Sequence, residues 1–551
     1  MNSSLQVWAL PAALLATASI AMTWYNLVTK HVPDPYLDEF FHVPQAQRYC
    51  RNDFTWDPKI TTPPGLQVYL VSLLIKNVAG CETSNLRALN VAAICLVCIL
   101  SYNILVALHK GLPERTEQVK GNTSQSIDTL NAHSALNISL FPPLFFFSAL
   151  YYTDVMSTLV VLLSYLAFLN RDKTSYRFLS KTGTIIIGVL ALLFRQTNIF
   201  WVAIFPAAMA VVDVFGGKQQ TGSFEKKDLK YVCEQSWSYG RLYDCSVESA
   251  EPHDFLLFAM SLALVILAQP ILLLKTVIPY LILIALFAGF VIWNGSVVLG
   301  DKSAHTATLH LPQMLYFWPY VALFSTPLVV SSLLSHIASL LPAGLSASLE
   351  SLFDARAKKA FPSLVAASMF ILPGLAMVHF NTIIHPYTLA DNRHYVFYVF
   401  RIIRRHPAIK YAAVPFYYIC AWTVFHTLST KPERGTPTKQ NAQKKSLANN
   451  YAQPQSRNIS FVVAWVGTTA LSVATAPLVE PRYFIIPWII WRLHVPYLSK
   501  ARASNKGQSY DLRLVLETVW LLVMNATLGY NFLYRGFSWP QEPGKVQRFL
   551  W

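Results

Sequence analysis

The chain has 551 residues, of which 54% are hydrophobic and 13% charged, with a mean hydropathy of +0.38. Soluble domains carry roughly 25% charged residues, so this composition excludes a soluble globular protein. The net charge of +16 comes without any module that interleaves basic and stacking aromatic residues. That excludes a nucleic-acid binder and leaves cytosolic loops or bound phosphate groups as the use of the charge.

Apolar runs near the ~20 residues that cross a bilayer recur from end to end. They predict an all-α polytopic membrane protein, one domain over 1–551, because lipid tolerates only spans that satisfy their own backbone. The runs fall near 5–27, 66–79, 86–108, 139–169, 182–194, 199–215, 254–270, 277–299, 314–341, 361–380, 411–428, 459–478, 483–496 and 514–533. They predict about thirteen crossings. The first run lacks a basic leader and continues directly into an acidic loop, so it reads as a first span or signal anchor.

The loop over 28–65 holds Pro35-Tyr36-Leu37-Asp38-Glu39-Phe40-Phe41-His42-Val43-Pro44-Gln45-Ala46-Gln47. Acids this close to hydrocarbon are costly and usually face a cavity; the alternative is a solvated pair that helps to set topology. The turn-rich stretch after it ends at Pro63-Pro64-Gly65, where proline opens the apolar run 66–79. The run 139–169 is interrupted by Tyr151-Tyr152-Thr153-Asp154, giving one long tilted helix or two that meet at the acid. Whether 66–79 crosses or only re-enters decides which face Asp154 occupies; the sequons at Asn122 and Asn137 favour a crossing.

The loop 170–181 is basic and cytosolic by the positive-inside rule. Four polar residues, Arg195-Gln196-Thr197-Asn198, sit between apolar runs, and 216–253 is a charged loop of mixed sign. Residues 429–457 form a flexible linker with six Lys/Arg against Glu433, placed in the cytosol. Segment 381–410 and Glu480 then fall on the opposite face. Seven cysteines without CxxC or Cys/His ligand spacing argue against a structural metal or a disulfide scaffold. Cys233 and Cys245 pair if their loop is lumenal, and are otherwise free thiols. No cofactor is called for.

Six clusters place polar residues at unusual depth. They are Asp38/Glu39/His42, Tyr151 to Asp154, Arg195 to Asn198, Gly300-Asp301-Lys302 through His305, His310 and Gln313, His385 through Asp391-Asn392-Arg393-His394-Tyr395, and Glu480-Pro481-Arg482-Tyr483-Phe484. A transporter presents a similar inventory but usually with internal repeats, and none is visible. A carboxylate with several cations suits transfer of a sugar from a lipid phosphate. The acid takes the acceptor hydroxyl proton, and arginine steadies the phosphate that leaves.

Those motifs together resemble the eukaryotic dolichyl-phosphate-glucose-dependent α-1,2-glucosyltransferases, from Asp38-Glu39 and Thr61-Thr62-Pro63-Pro64-Gly65 through Glu480-Pro481-Arg482-Tyr483-Phe484 to Arg548-Phe549-Leu550-Trp551. The resemblance implies a multi-span GT-C type fold in the endoplasmic-reticulum membrane, with 28–65 as the first lumenal loop and the site facing the lumen. It implies dolichyl-phosphate-glucose as donor and the diglucosylated dolichyl-pyrophosphate oligosaccharide as acceptor, with inversion and no metal. Membrane lipids are the remaining partner. The catalytic base is Asp38, with Glu39 as the alternative. Arg393, His394 and Arg482 bind the donor phosphate, with Arg401, Arg404 and Arg405 as an outer attractor. His42, Gln45, Tyr152, Asp154, Arg195, Asn198, Asp301, His305, His310, Asp391, Asn392 and Tyr483 are candidate substrate contacts. A transporter of lipid-linked sugars is the alternative.

Overall fold

The computed structural model describes residues 7–63, 71–109, 120–171, 177–216, 224, 227–302, 308–330, 333, 363–384, 386–429, 457–476, 478–497 and 510–550. His305 and His385, and the linker between 429 and 457, lie outside the described residues. Helix α1 (Ala9–His31) is followed by the short α2 (Glu39–Cys50) and then by α3 (Thr83–His109). Among the described residues, six stretches are long and apolar enough to cross a bilayer unaided: α1, α3, 196–216, Pro270–Asn294, Pro407–His426 and Leu512–Tyr534. This is a mostly helical, multi-pass membrane protein.

The described part of the run 66–79, residues 71–79, does not cross, and Val71 clusters with Val43, Ala46 and Tyr49 of α2. Cys50 at the end of α2 is disulfide-bonded to Cys81 just before α3, and the Gln47 amide donates to the Cys81 carbonyl at 3.2 Å. The end of α2 and the start of α3 therefore sit together at one end of the bundle, the end that carries Asp38. This pair corrects the reading that argued against a disulfide scaffold, and Cys233 and Cys245, the pair it left open, are free. Nothing in local spacing announces a bond across 31 residues, because tertiary return of the chain creates it.

Residues 120–138 are helical rather than a loop. Helix α4 (Lys120–Ser139) starts beside the foot of α3 at the far end and packs against α1 and α3. Asn137 is fully buried, its amide donating to the Leu514 carbonyl and the Glu517 carboxylate, so its sequon cannot accept a glycan. The chain then breaks at Pro142 and Pro143, turns through 142–149, and begins α5 (Asp154–Leu169) at the Asp38 end. Two helices meet near Asp154 rather than one passing through it.

Helix α6 (Arg177–Leu192) returns to Arg195, and α7 (Phe205–Gly216), preceded by single turns over 196–204, runs back to the far end. There Arg171 pairs with Asp213 at 2.5 Å. The run 254–270 likewise fails to cross. Helices α8 (Leu229–Tyr239) and α9 (Pro252–Ala268) pack side by side, joined by Ser236 and Ser261 at 2.8 Å. They pack on the far ends of neighbouring helices through Val211, Phe215 and Ile459. Helix α10 (Pro270–Asn294) then starts at the far end, where Lys181 donates to the Lys275 carbonyl. It finishes beside Thr61, whose carbonyl accepts from Leu299.

Helices α11 (Gln313–Phe324), α12 (Leu364–Phe380), α13 (Tyr395–Ile403), α14 (Pro407–His426), α15 (Ile459–Val473), α16 (Ile485–His494) and α17 (Leu512–Tyr534) complete the bundle. Its core is aromatic, with Trp465, Trp488 and Trp491 fully buried and Phe141 stacked on Trp488 at 3.7 Å. After α17 a two-stranded antiparallel hairpin, β1 (Phe537–Trp539) and β2 (Glu542–Gln547), departs from the all-α expectation. The linker flanks meet at the far end, where Arg457 N–H donates to the Leu428 carbonyl.

Candidate functional site

Five segments that are remote in sequence converge at one end of the bundle: the N-terminus of α2, the start of α5, the turn after α6, the turn after α15 and the loop before α13. Leu37 adopts φ of +51°, a left-handed conformation uncommon outside glycine, and turns the chain so that Asp38 and Glu39 diverge. Glu39 points inward and is closed to solvent. Its carboxylate accepts from Arg87 Nε at 2.9 Å and Nη2 at 2.6 Å, and from the Tyr36 and Tyr151 amides at 3.0 and 2.6 Å. Arg87 also donates to the carbonyls of Val32 and Asp34. Both oxygens of Glu39 are spent on holding the loop.

Asp38 differs. Its side chain keeps 40% of its accessibility although protein surrounds it, so the carboxylate lines an internal cleft. Its amide donates to the Tyr152 hydroxyl at 3.0 Å, and Arg482 Nη1 donates to Oδ2 at 2.7 Å. Burial pushes the Asp38 carboxyl up, but Arg482, then His42 and Arg195, pull it below the usual carboxylate range. His42, one turn along α2, is shifted down by burial against the opposing pull of Asp38 and Asp154.

Arg482 is the hub of this cluster. It also grips Glu480 at 2.7 Å and lies 3.9 Å from Asp154, which pairs with Arg195 at 3.0 Å. Its guanidinium sits 5.8 Å from the Tyr152 ring and 5.9 Å from Phe147, two rings stacked at 4.7 Å. The Tyr483 hydroxyl is within electrostatic range of Glu480, Arg195 and Asp38. Three carboxylates (Asp38, Asp154, Glu480) face two guanidiniums (Arg195, Arg482). The cluster is net negative, which suits a proton acceptor and a reacting carbon that gains positive character.

Cations gather next door. Arg393 is clamped by Asp391 through Nε at 2.8 Å and Nη2 at 2.6 Å, and donates to Gln547 at 3.1 Å. His394 lies 3.6 Å from the same carboxylate. Burial opposes the Asp391 charge, but the Arg393 hydrogen bonds hold its carboxyl below the usual range. The C-terminal segment binds this loop to the first one. Leu550 N–H donates to the Arg393 carbonyl at 2.7 Å, and Trp539 Nε1 donates to Asn392 at 2.8 Å. Arg548 N–H donates to the Tyr36 hydroxyl at 2.8 Å, two residues before Asp38. Its guanidinium caps carbonyls of Phe532, Leu533 and His31.

Other expected contacts stand elsewhere. Gln45 is buried with both amide ends bonded to Thr55 and Asp57, so it shapes a loop and has no face for substrate. Asn198 is committed to Ser157 and the Ala191 carbonyl. His310 is closed to solvent, its backbone donating to Ala474. Neither can touch a ligand in this arrangement. Asp301 is exposed at the loop where its amide donates to the Pro58 carbonyl. Arg401, Arg404 and Arg405 are exposed along α13 and just past it, and form a separate basic surface. The sequence reading passed over Arg87, although an arginine opening an apolar span was a usable signal. Glu480, quoted within its motif, received no role. Tyr36 and Arg548 were likewise quoted within motifs without a role, and Trp539 and Gln547 carried no local signal.

A family model described as DIE2/ALG10 matches residues 32–493. The chain belongs to the DIE2/ALG10 family. Relatives similar over nearly their whole length include one from Aspergillus fumigatus (40% identical; 99% of this chain and 98% of the relative), one from Arabidopsis thaliana (33%; 98% and 99%) and one from Mus musculus (32%; 98% and 98%). Each of these DIE2/ALG10 relatives is named Dol-P-Glc:Glc(2)Man(9)GlcNAc(2)-PP-Dol alpha-1,2-glucosyltransferase. Two structures of the Archaeoglobus fulgidus oligosaccharyltransferase match at 12% and 13% identity with TM-scores of 0.26 and 0.28. They cover 88% and 94% of this chain, and 56% and 64% of theirs. Likeness that low bears no weight for the DIE2/ALG10 chain.

Proposed function

We propose that this protein transfers glucose from dolichyl-phosphate-glucose to the diglucosylated dolichyl-pyrophosphate oligosaccharide, forming the terminal α-1,2 linkage with inversion. The site faces the lumen of the endoplasmic reticulum, in a GT-C type fold. The observation that carries this reading is the accessible Asp38 carboxylate, paired with Arg482 beside a cation-bearing loop, in a chain whose full-length relatives bear the transferase name. The same relatives leave the transporter alternative without support.

The step is a single displacement. The acceptor 2-hydroxyl oxygen attacks C1 of the donor glucose, and Asp38 takes its proton. The bond from C1 to the phosphate oxygen breaks, and dolichyl phosphate leaves with the electron pair. Attack opposite the leaving group turns the β-linked donor into an α-glucoside, and one base suffices, as in inverting hydrolysis. Arg482, Arg393 and His394 face the departing phosphate, where charge-assisted bonds are strongest. Asp154, Arg195, His42 and Tyr483 hold the cluster's charge and orient sugar hydroxyls. The Cys50–Cys81 bond at this end supports a lumenal site, since such bonds persist in oxidising compartments. The basic linker leaving the other end supports a cytosolic far face.

The test is Asp38→Asn in microsomes supplied with donor and acceptor. The expected result is a folded protein with transfer reduced by at least about a thousandfold, beyond the 10²–10⁴ range of general-base loss at its low end. Transfer retained within tenfold would overturn the base assignment.

A further inference from the structure

Arg401, Arg404 and Arg405 belong to none of the pairs that neutralise the other arginines of this face. Arg87, Arg195, Arg393 and Arg482 each have a carboxylate partner. Among the described residues, no carboxylate lies within ion-pair distance of these three. They line a hollow of about 340 Å³ together with Leu389 and Phe397, so cationic walls meet an apolar floor. Helix α13 buries Phe400 while Val399 and Ile402 stay about half exposed, at 52% and 53%. An exposed apolar face flanked by arginines suits the plane of the bilayer boundary, apolar side in lipid and cations at headgroup depth.

We propose that this hollow holds the pyrophosphate headgroup of the lipid-linked acceptor, an assignment that rests on the reaction proposed above. Reach separates it from the donor phosphate. Acceptor oxygen, C1 and leaving oxygen stand about 3 Å apart in turn at the moment of reaction, so the donor phosphate must sit within one sugar ring of Asp38. Along α13, Arg401 is about 10 Å and Arg404 about 15 Å beyond His394 at 1.5 Å per residue. The acceptor's pyrophosphate faces no such limit, because a long glycan separates it from the hydroxyl that reacts. Three unpaired guanidiniums also match its two charges better than the single charge of the donor diester.

Full-length enzyme in phosphatidylcholine vesicles tests this through the triple variant Arg401→Gln/Arg404→Gln/Arg405→Gln. The acceptor KM should rise about tenfold or more while the donor KM moves less than twofold. The corresponding triple lysine variant, which keeps the charges, should recover most of the loss. Geranylgeranyl pyrophosphate should compete with the acceptor in the wild type and lose that competition in the glutamine variant, and geranylgeranyl monophosphate should not compete there. A rise in donor KM with acceptor KM unchanged, or unchanged values for both, would overturn the assignment. So would an effect confined to vesicles that contain phosphatidylserine, which would make the hollow a site for bilayer lipid. Wild-type enzyme unable to transfer glucose would defeat the reaction itself; normal wild-type transfer with an indifferent triple variant defeats only this inference.

Discussion

Glu39 accepts four hydrogen bonds in a space closed to water, so Glu39→Gln leaves the Arg87 guanidinium buried without a counter-charge. Removing one partner of such a pair costs about 3–5 kcal/mol. The expected readout is a lower thermal midpoint and poorer recovery from detergent. Asp38→Asn, whose carboxylate is 40% accessible, should keep the wild-type midpoint. Equal midpoints for the two variants would refute the division of roles. Arg482 holds Asp38 below the usual carboxylate range, so the base is ionised well below neutral pH. Taking the cation away raises that carboxyl, and the acid limb of the residual kcat/KM profile should move to higher pH in Arg482→Gln. An acid limb that stays put, or moves down, would show that another group sets it. At this scale the residue types were legible, because acids and arginines at membrane depth stand out from hydrocarbon. Which of two adjacent acids is free was not legible, since that depends on the φ of Leu37 and on Arg87 arriving from another helix.

The element that carries the base is a twelve-residue helix too short to be stable alone. Its far end is tied to Cys81, and Gln45 on its buried face organises Thr55 and Asp57. The stretch 58–61 is in turn closed by the segment at Leu299 to Asp301. That contact requires Gly300, at φ of +65°, where any side chain would drive into the Pro58 carbonyl. Cross-linking residues 31 apart is worth about 3–4 kcal/mol in a chain-entropy estimate. Cys50→Ser/Cys81→Ser should therefore lower the thermal midpoint and lose transfer on warming before the wild type does. A reductant should bring the wild type to the same behaviour and leave the double variant unchanged. Identical thermal profiles with and without reductant in the wild type would show that the bond contributes nothing. Helical periodicity and apolar length announced most of these elements. The run 254–270 misled and 66–79 was left open, because length and hydropathy cannot distinguish a span from an apolar segment whose two ends are tied to one face.

For the whole molecule, the arrangement predicts opposite exposure of two insertion points. An epitope in the 52–57 loop should be protected from protease in sealed microsomes, and one in the 430–456 linker should be cleaved. Finding both on one side would leave Asp38 and the linker flanks on a common face and break the topology. What residue chemistry alone determined was the class of protein, the existence of many spans and the set of polar motifs from which a site must be drawn. These follow from solvation: hydrocarbon admits few charges, and the exceptions are visible in any reading of the chain. Only the tertiary structure decided that Asp154 shares a face with Asp38, that Cys50 finds Cys81, and that Arg548 near the end of the chain holds Tyr36 beside the base. Each depends on where a helix returns after crossing and on hydrogen bonds between segments up to 517 residues apart. No local pattern of side chains records a partner at that distance.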